Sequence, residues 1–251
     1  PVVIFIPLHF RAHKRVDVIL HLHGWVEDGE TIDDTIRKFK FAEVLGDSRR
    51  NAILVVPRSS GHCETFKKQL THFHVFNNFM DHVLRLLVDV RLAESLELGD
   101  LTLTGHSGSY STLEAIVSHK CESAPRSGCY AGHVKELFLF DCLYDSGEGF
   151  VKFAKESPPF RFASVFIPLK KKNGDWKWTA AGNHALWSAL NPNADDSTFL
   201  ASTLAPDTSP EQIAQAAAKG PTFMQSDVGH DMTFNKYFPR LLRAVHHQGA
   251  K

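Results

Sequence analysis

A serine in the middle of the chain occupies a position from which its hydroxyl could act as a nucleophile. The stretch LTLTGHSGSYST (101–112) runs from a β-type alternation through GHSGS, with Ser107 at its centre, into a helical pattern. A tight turn between a strand and a helix lifts the central side chain above the sheet. The residues two positions to either side must be small because the two backbones nearly touch, and Gly105 and Ser109 meet that requirement.

A serine hydroxyl is a weak nucleophile near neutral pH and needs a neighbouring base, most often an imidazole. The chain has 15 histidines, so composition alone does not select the base. His106 lies inside the motif, but we expect its side chain to point away from the reacting face of Ser107 and interpret it as structural. His246 and His247 are interpreted as a solvated tail. The choice of base therefore depends on the elements around the serine.

Apolar, β-branched runs alternate with amphipathic stretches, a pattern typical of an α/β fold whose mostly parallel sheet carries helices on both faces. Several runs are apolar throughout, as central parallel strands are. The predicted strands are VVIFI (2–6), VDVILHL (16–22), AILVVP (52–57), LTLTG (101–105), ELFLFD (136–141), FASVFI (162–167) and TFMQSD (222–227). The predicted helices are 31–45, 71–96, 110–119, 210–219 and 234–247, and 58–70 is predicted to be a loop. With 251 residues and 43% hydrophobic content, we expect a single domain spanning 1–251.

One long segment interrupts this alternation before the last strand. Residues 169–221 are rich in Lys, Asn, Asp, Pro and Ala, and an insertion of this length is more often a lid or pocket wall than a plain connection. It carries Trp176, Trp178 and Trp187, which suit either the apolar rim of a pocket or packing onto the sheet edge.

Four stretches, RNAILVVP, GHSGSYST, LFLFDCLYDS and VGHDMTFNKYFPRLL, resemble the α/β-hydrolase superfamily, and more narrowly a little-characterised branch of bacterial hydrolase-like proteins. The resemblance covers most of the chain and implies the α/β-hydrolase fold with a catalytic order of nucleophile, acid and histidine. Ser107 matches the nucleophile, and Ser109 is a mild departure from the glycine usual in G-x-S-x-G. His230, in SDVGHDMTF after the last predicted strand, lies where the superfamily places its base.

The acid that orients the histidine has three candidates. It must accept the imidazole N–H, hold one tautomer and stabilise the imidazolium. In most of the superfamily it follows the strand after ELFLFD, where the first carboxylate here is Asp175, in a lysine-rich loop. Some members carry it at the end of the strand ELFLFD itself, which is Asp141. We favour Asp141 because a strand end is rigid, with Asp145 and Asp175 as rivals; a simple turn cap is the alternative role for Asp141.

The resemblance also implies an oxyanion hole made of two backbone N–H groups. Gly108 follows the nucleophile and supplies one donor through the geometry of the turn. The pair His23-Gly24 in HLHGWVEDGE (21–30) resembles the start of the superfamily's oxyanion loop, which makes the N–H of Trp25 the second donor. Gly24 would let that backbone approach the substrate closely; an ordinary turn after a strand is the alternative.

A metal site is a competing interpretation of the histidine pairs. His21 and His23 have the H-x-H spacing that places two imidazoles on one face of a strand. Metallohydrolases of that kind need an aspartate and another histidine just downstream, and the chain has GWVED instead. His72 and His74 form a second pair, but on a helix that spacing does not converge on one ion. We therefore expect no catalytic metal.

Charge and cysteine content limit the partners and the compartment. Lys+Arg and Asp+Glu both number 28, so no global field would recruit nucleic acid or an anionic membrane. No run approaches the roughly 18 apolar residues of a membrane span.

A Cys121–Cys129 disulfide, which would indicate an oxidising compartment, is one interpretation of the four cysteines, and four ordinary thiols are the other. The chain begins at Pro1 rather than Met, which is compatible with export after removal of a leader.

These features predict a serine hydrolase of the carboxylesterase type that acts on a small-molecule ester without a cofactor. An ester is favoured because its leaving group makes fewer demands on the acid, while amide or peptide substrates stay open. An acyltransferase with the same triad would differ only in what resolves the acyl-enzyme. A non-catalytic, hydrolase-like binding protein is the alternative from a different class, because a fold does not establish chemistry.

Overall fold

Within the described residues, seven strands form one sheet. The structure is a computed structural model that describes residues 1–27, 29–59, 64–119, 129–145, 147–156 and 161–246. The strands are β1 (Val2–Phe5), β2 (Arg15–Leu22), β3 (Ile53–Pro57), β4 (Glu97–His106), β5 (Val134–Phe140), β6 (Arg161–Phe166) and β7 (Thr222–Gln225). Their order is β1-β3-β2-β4-β5-β6-β7, and every neighbouring pair is parallel except β1 with β3. The predicted mostly parallel α/β sheet is confirmed.

Helices cover both faces of the sheet. They are α1 (Ile32–Phe39), α2 (Phe41–Ser48), α3 (Glu64–Leu70), α4 (Phe73–Asp89), α5 (Tyr110–Val117), α6 (Glu148–Glu156), α7 (Thr179–Leu190), α8 (Pro210–Ala217) and α9 (Thr233–His246). Apolar residues of α3 to α7 form a core on one face, and those of α1, α2, α8 and α9 form a second core on the other. Strand residues alternate between the two cores: Val18 and Leu20 face the first and Ile19 the second.

Three predicted elements differ from the structure. The single helix predicted over 31–45 is two helices, because Lys40 adopts the left-handed conformation with φ 47° and ends α1 before α2 begins. The helix predicted over 71–96 ends at Asp89, and Arg91 has φ 61°. The loop predicted over 58–70 contains α3, which buries Phe66 in the core.

The segment 169–221 contains more regular structure than the one predicted helix. Residues 167–179, named here the lysine hairpin, fold back on themselves through the antiparallel bridge between Lys170 and Trp176. Helix α7 then packs onto the sheet. Its polar side is narrow, so its sequence shows little of the amphipathic pattern from which a helix is predicted. Trp187 and the fully buried Phe199 lie in the core, whereas Trp178 is 60% exposed. A role for this segment as a lid stays a prediction.

Two further expectations concern the cysteines and the membrane. Cys129 is buried and disulfide-bonded, while Cys63 and Cys121 lie outside the described residues, so the Cys121–Cys129 pairing stays a prediction. Cys142 is buried beside Ser109, with its sulfur 3.5 Å from the serine Oγ. None of the helices in the described ranges has the length and apolar character that crossing a bilayer requires.

The strand register brings three loops to one edge of the sheet. Leu22 at the end of β2 lies beside Gly105 in β4, and His106 at the end of β4 lies beside Phe140 in β5. The loops that follow β2, β4 and β5 therefore start at adjacent positions. In open α/β sheets this carboxyl edge is where ligands bind.

We expect Gly182 in α7 to tolerate no side chain. A Cβ there would overlap the backbone carbonyl groups of Leu143 and Asp145, which cannot rotate away as a side chain can. Gly182→Ala should lower the free energy of unfolding by about 1–3 kcal/mol, measured by urea titration. The matched control is Gly46→Ala in α2, where a Cβ meets nothing within 4 Å, and alanine should raise stability by up to about 1 kcal/mol. Equal effects at the two glycines would contradict this account of α7 packing.

Candidate active site

Ser107 occupies a strained turn at the end of β4. Its φ of 55° lies in the left-handed region, which costs an L-residue other than glycine on the order of 1 kcal/mol. The turn is a short 3-10 segment, Ser107–Ser109, that leads directly into α5. Ser109 Oγ closes it by donating to the carbonyl of His106 at 3.0 Å. A Cβ on Gly105 would overlap the side chains of Leu113 and Ser109, so the structure needs small residues where the sequence has them.

His230 and Asp141 are joined by a short hydrogen bond. His230 Nδ1 donates to Asp141 Oδ2 at 2.6 Å, across 89 residues of sequence. Asp141 directly follows β5 and is 4% exposed, while the side chain of His230 keeps 35% of its surface exposed. This contact leaves Nε2 of the neutral ring without a proton, which is the form in which an imidazole can act as a base.

The other carboxylate oxygen of Asp141 is held by the two ends of the lysine hairpin. Thr179 Oγ1 donates a short hydrogen bond to Asp141 Oδ1, and the backbone N–H of Ile167 donates to the same oxygen at 3.4 Å. The backbone N–H of Asp141 donates to Val165 O at 2.7 Å, while its φ is 44°. Both oxygens of this buried carboxylate are therefore satisfied, as burial of an acidic group requires.

The backbone at His230 is held by two donors. His106 Nε2–H donates to the carbonyl of His230 at 2.9 Å, and Thr233 Oγ1 donates to the same oxygen at 2.8 Å. The rings of His106 and His230 lie 4.5 Å apart between centroids. Burial lowers the pKa of His106 to about 4, so this imidazole stays neutral near pH 7. Position 106 therefore links the turn that carries Ser107 to the loop that carries His230.

His106, which directly precedes Ser107, contacts both the ring and the carbonyl of His230. Within the part of the chain that the structure describes, no hydrogen bond of Ser107 Oγ to a side chain is present. Contacts between a nucleophile and its base are often long before substrate binds. The ring of His230 is tilted against the ring of His106, the residue that precedes Ser107.

The loop after β2 lies directly against the serine. A Cβ on Gly24 would overlap Ser107 Cβ and come within 3.1 Å of Ser107 Oγ. Buried His23 holds this loop through both ring nitrogens: Nδ1–H donates to Gly24 O at 2.8 Å, and Nε2 accepts from the N–H of Ser59 at 3.1 Å. Because carbonyl and N–H point in opposite directions across a trans peptide, the N–H of Trp25 is directed away from His23. Gly108, the other predicted donor, follows Ser107 in the 3-10 segment.

The two other candidates for the orienting acid lie at exposed positions. Asp175 is exposed within the lysine hairpin, where its carboxylate accepts from Asn173 Nδ2 at 2.6 Å. Asp145 is exposed in the loop after β5, four residues beyond Asp141. The carboxylate that accepts the hydrogen bond of His230 is that of Asp141.

The histidine pairs do not form a metal site within the described ranges. Among those residues there is no group of three or more His, Cys, Asp or Glu side chains placed to hold an ion. His21 Nδ1 lies 2.9 Å from Thr104 Oγ1, and its ring packs among Phe39, Phe41 and Phe234. Both nitrogens of His23 are already engaged within the protein. These imidazoles are packing and positioning groups in this structure.

Solved structures provide the comparison with known proteins. The chain is similar to a ferulic acid esterase with 14% identity and a TM-score of 0.51, over 97% of this chain and 92% of that one. It is also similar to an uncharacterised protein from Capnocytophaga ochracea DSM 7271 with 9% identity and a TM-score of 0.50, covering 96% of this chain but only 58% of that one. The chain has the α/β-hydrolase fold. An S-formylglutathione hydrolase from Agrobacterium tumefaciens aligns over 97% of this chain at 9% identity and a TM-score of 0.44.

Sequence matching adds nothing to the structural comparison. No protein-family model and no curated protein matches the chain. The α/β-hydrolase fold expected from the four motifs is thus established by architecture, whereas the narrower bacterial branch stays a prediction.

Thr179 is the site residue that sequence reasoning missed. It starts α7, 38 residues after Asp141, and a threonine beside a tryptophan matches no catalytic motif. The one available signal is its place at the start of a helix, and that helix was not predicted. His23 was considered only as the start of the oxyanion loop and as half of an H-x-H metal pair, because its hydrogen bond with Ser59 connects two different loops.

Low pH should destabilise the protein because its buried histidines are not protonated in the folded state. Burial lowers the pKa of His21 well below 6.5 and that of His23 to about 4. The unfolded chain takes up these protons and the folded chain does not, so the free energy of unfolding should fall as pH drops from about 6.5 to about 5. His21→Phe removes one such group and should make this slope shallower by about one proton, measured by urea unfolding across that range. Parallel pH curves for the variant and the parent would contradict the burial argument.

Proposed function

We propose that the chain is a serine hydrolase that cleaves carboxylic esters of small molecules through an acyl-enzyme on Ser107. The observation that carries the proposal is the 2.6 Å bond from His230 to the buried Asp141, next to the strained turn of Ser107. Strain at a non-glycine residue persists only where the surrounding structure imposes it, and it clusters at active sites.

The proposed reaction begins with proton transfer from Ser107 to His230. Asp141 accepts the Nδ1–H of His230 and stabilises the imidazolium that forms when Nε2 takes the serine proton. Ser107 Oγ attacks the ester carbonyl, and His230 returns the proton to the leaving alcohol as the bond to it breaks. A water molecule, deprotonated by the same imidazole, then attacks the acyl carbon, and the imidazolium returns the proton to Ser107 Oγ as its bond to the acyl group breaks and the carboxylic acid leaves.

The charge that develops on the carbonyl oxygen needs backbone donors that are already in place. Gly108 N–H and Trp25 N–H are the proposed pair. The hydrogen bond from His23 to the Gly24 carbonyl supports this role. It fixes the peptide so that the N–H of Trp25 points away from His23. The absence of a side chain at Gly24 allows that peptide to lie against Ser107.

An ester is preferred over an amide because an alkoxide or phenoxide leaves more readily than an amine and needs less complete protonation. The similar ferulic acid esterase is consistent with this choice, although at 14% identity its likeness establishes the fold only. A non-catalytic binding protein remains the alternative from a different class.

Covalent labelling tests the nucleophile. A fluorophosphonate probe should label Ser107, identified by mass mapping, and Ser107→Ala should abolish both labelling and hydrolysis of short-chain aryl esters while leaving the melting temperature nearly unchanged. Ser118→Ala, at an exposed position after α5, is a matched serine control and should keep the label. A folded protein that shows no adduct at any serine would overturn the proposal and favour the binding-protein alternative.

The identity of the acid is tested by an amide substitution. Asp141→Asn keeps the shape of the side chain but removes the charge that selects the Nδ1–H tautomer, so kcat should fall about 10⁴-fold. Asp175→Asn and Asp145→Asn, at exposed positions away from His230, should change kcat less than about twofold, within the range of neutral surface substitutions. Similar losses in all three variants would show that none of them is the orienting acid.

Thr179 should act as a positioning residue for Asp141. Thr179→Val removes the hydroxyl that donates to Oδ1, so the carboxylate can rotate and kcat should fall roughly tenfold with KM unchanged. Thr179→Ser keeps the hydroxyl and should restore most of kcat, which a purely structural role for the methyl group would not explain. Thr112→Val is the matched control, because Thr112 Oγ1 is buried without a hydrogen-bond partner. Equal activity of the valine and serine variants at 179 would contradict the role.

A further inference from the structure

The lysine hairpin begins and ends at the carboxylate of Asp141. The N–H of Ile167 and the hydroxyl of Thr179 both donate to Asp141 Oδ1, so the two ends of the hairpin meet at one atom. Between them, Lys171 N–H donates to Asp175 O at 2.7 Å and Lys177 N–H donates to Leu169 O at 2.9 Å. The hairpin is therefore a hydrogen-bonded arm anchored beside His230.

Trp178 has features that packing alone does not explain. Its indole is 60% exposed, and its φ of 52° is unusual for a bulky residue. The carbonyl of Trp178 accepts from Ala181 N–H at 3.0 Å, which holds this backbone at the start of α7. By contrast, Trp176 in the same hairpin packs edge-on against the buried Phe199 at 5.5 Å. A strained residue that presents its ring to solvent beside an active site indicates a surface that contacts a ligand.

The neighbouring loops present apolar side chains as well. Trp25, next to Gly24, is 60% exposed, and Met232, two residues after His230, is 49% exposed. Tyr144, three residues after Asp141, is 42% exposed and lies 6.1 Å from the ring of Tyr110. The loops that carry the proposed oxyanion donor, acid and base thus each present an exposed apolar side chain, which favours an aromatic group over a small polar one as the ligand.

The positive charge of the lysine hairpin favours aromatic ligands that carry a negative charge. Between Ile167 and Thr179 the chain has four lysines and one aspartate, in a protein whose formal net charge is zero. Lys177 Nζ lies over the Trp178 ring, 3.8 Å from its centre, so the cation covers one face of the indole. A planar ring that carries a carboxylate matches both groups at once.

We propose that Trp178 and Lys177 form a specificity subsite that binds an aromatic, anionic part of the ester substrate. The subsite rests on the proposed function, since Trp178 directly precedes Thr179, whose hydroxyl donates to the proposed acid Asp141. The indole face opposite Lys177 stacks on the ring of the substrate, and the flexible lysine side chain turns its ammonium group from the indole to the carboxylate. Neutral or purely aliphatic esters would gain only part of this binding.

Calorimetric titration of the intact protein with naphthoate tests the subsite. Naphthoate has no ester bond, so it reports binding whether or not the chain hydrolyses esters. The comparison ligands are naphthamide, which is aromatic but neutral, and decanoate, which is anionic but flexible. Naphthoate should bind more tightly than either, and its advantage over naphthamide should shrink at high salt. Equal affinity for naphthoate and decanoate, or for naphthoate and naphthamide, would overturn the proposal.

Variants assign the binding to the two residues. Trp178→Ala should weaken naphthoate binding roughly three- to tenfold, and Trp178→Phe should retain most of it. Lys177→Gln should weaken it roughly two- to fivefold at low salt. The matched controls are Leu96→Ala, an exposed apolar residue before β4, and Lys135→Gln at the start of β5; both lie at the opposite edge of the sheet and should change nothing. Unchanged affinity in Trp178→Ala would overturn the subsite.

Competition then locates the subsite relative to Ser107. Saturating naphthoate should slow fluorophosphonate labelling of Ser107 at least severalfold, because Trp178 adjoins Thr179, which holds the carboxylate that accepts from the proposed base His230. Labelling at an unchanged rate would overturn the placement of the subsite. Naphthoate binding that depends on Trp178 in a protein that never labels would support the subsite and overturn the proposed hydrolase function, so the two failures are distinguishable.

Discussion

The carboxylate of Asp141 is buried at the end of β5, and a charge in that position has to be satisfied on every side. One oxygen accepts from His230, and the other accepts from Thr179 and the backbone of Ile167. These partners come from the loop between β7 and α9, the first residue of α7 and the residue that follows β6. The need to compensate one buried charge thus defines where three separate segments meet, and the arrangement of the candidate site follows from it.

The sheet supplies the rigid part of the site, and the sequence encodes that part well. Runs that are apolar throughout are typical of buried parallel strands, and turn residues bound most of them, so the seven strands were predictable within a few residues. The turn at Ser107 was also predictable, because close contact between strand and helix demands small residues at 105 and 109. These features depend on local sequence or on a sterically strict contact, which leaves few alternatives.

Other parts of the site depend on contacts that no local pattern records. Helix α7 is buried along most of its surface, so it lacks the polar stripe from which a helix is predicted. The break between α1 and α2 depends on the left-handed conformation of Lys40, and a lysine does not mark such a position as a glycine would. Three aspartates were plausible as the acid because the choice depends on which loop reaches His230. Such facts arise from packing between distant segments, and reasoning along one chain cannot supply them.

The sequence separations at Asp141 have a consequence for folding. Its side-chain partners lie 38 and 89 residues further along the chain, so both contacts require the closure of long loops. Until α7 and the loop before α9 have docked, the carboxylate lacks the groups that offset its burial. A nascent or partly unfolded chain therefore carries Ser107 without an oriented base, so the proposed chemistry is confined to the fully assembled fold.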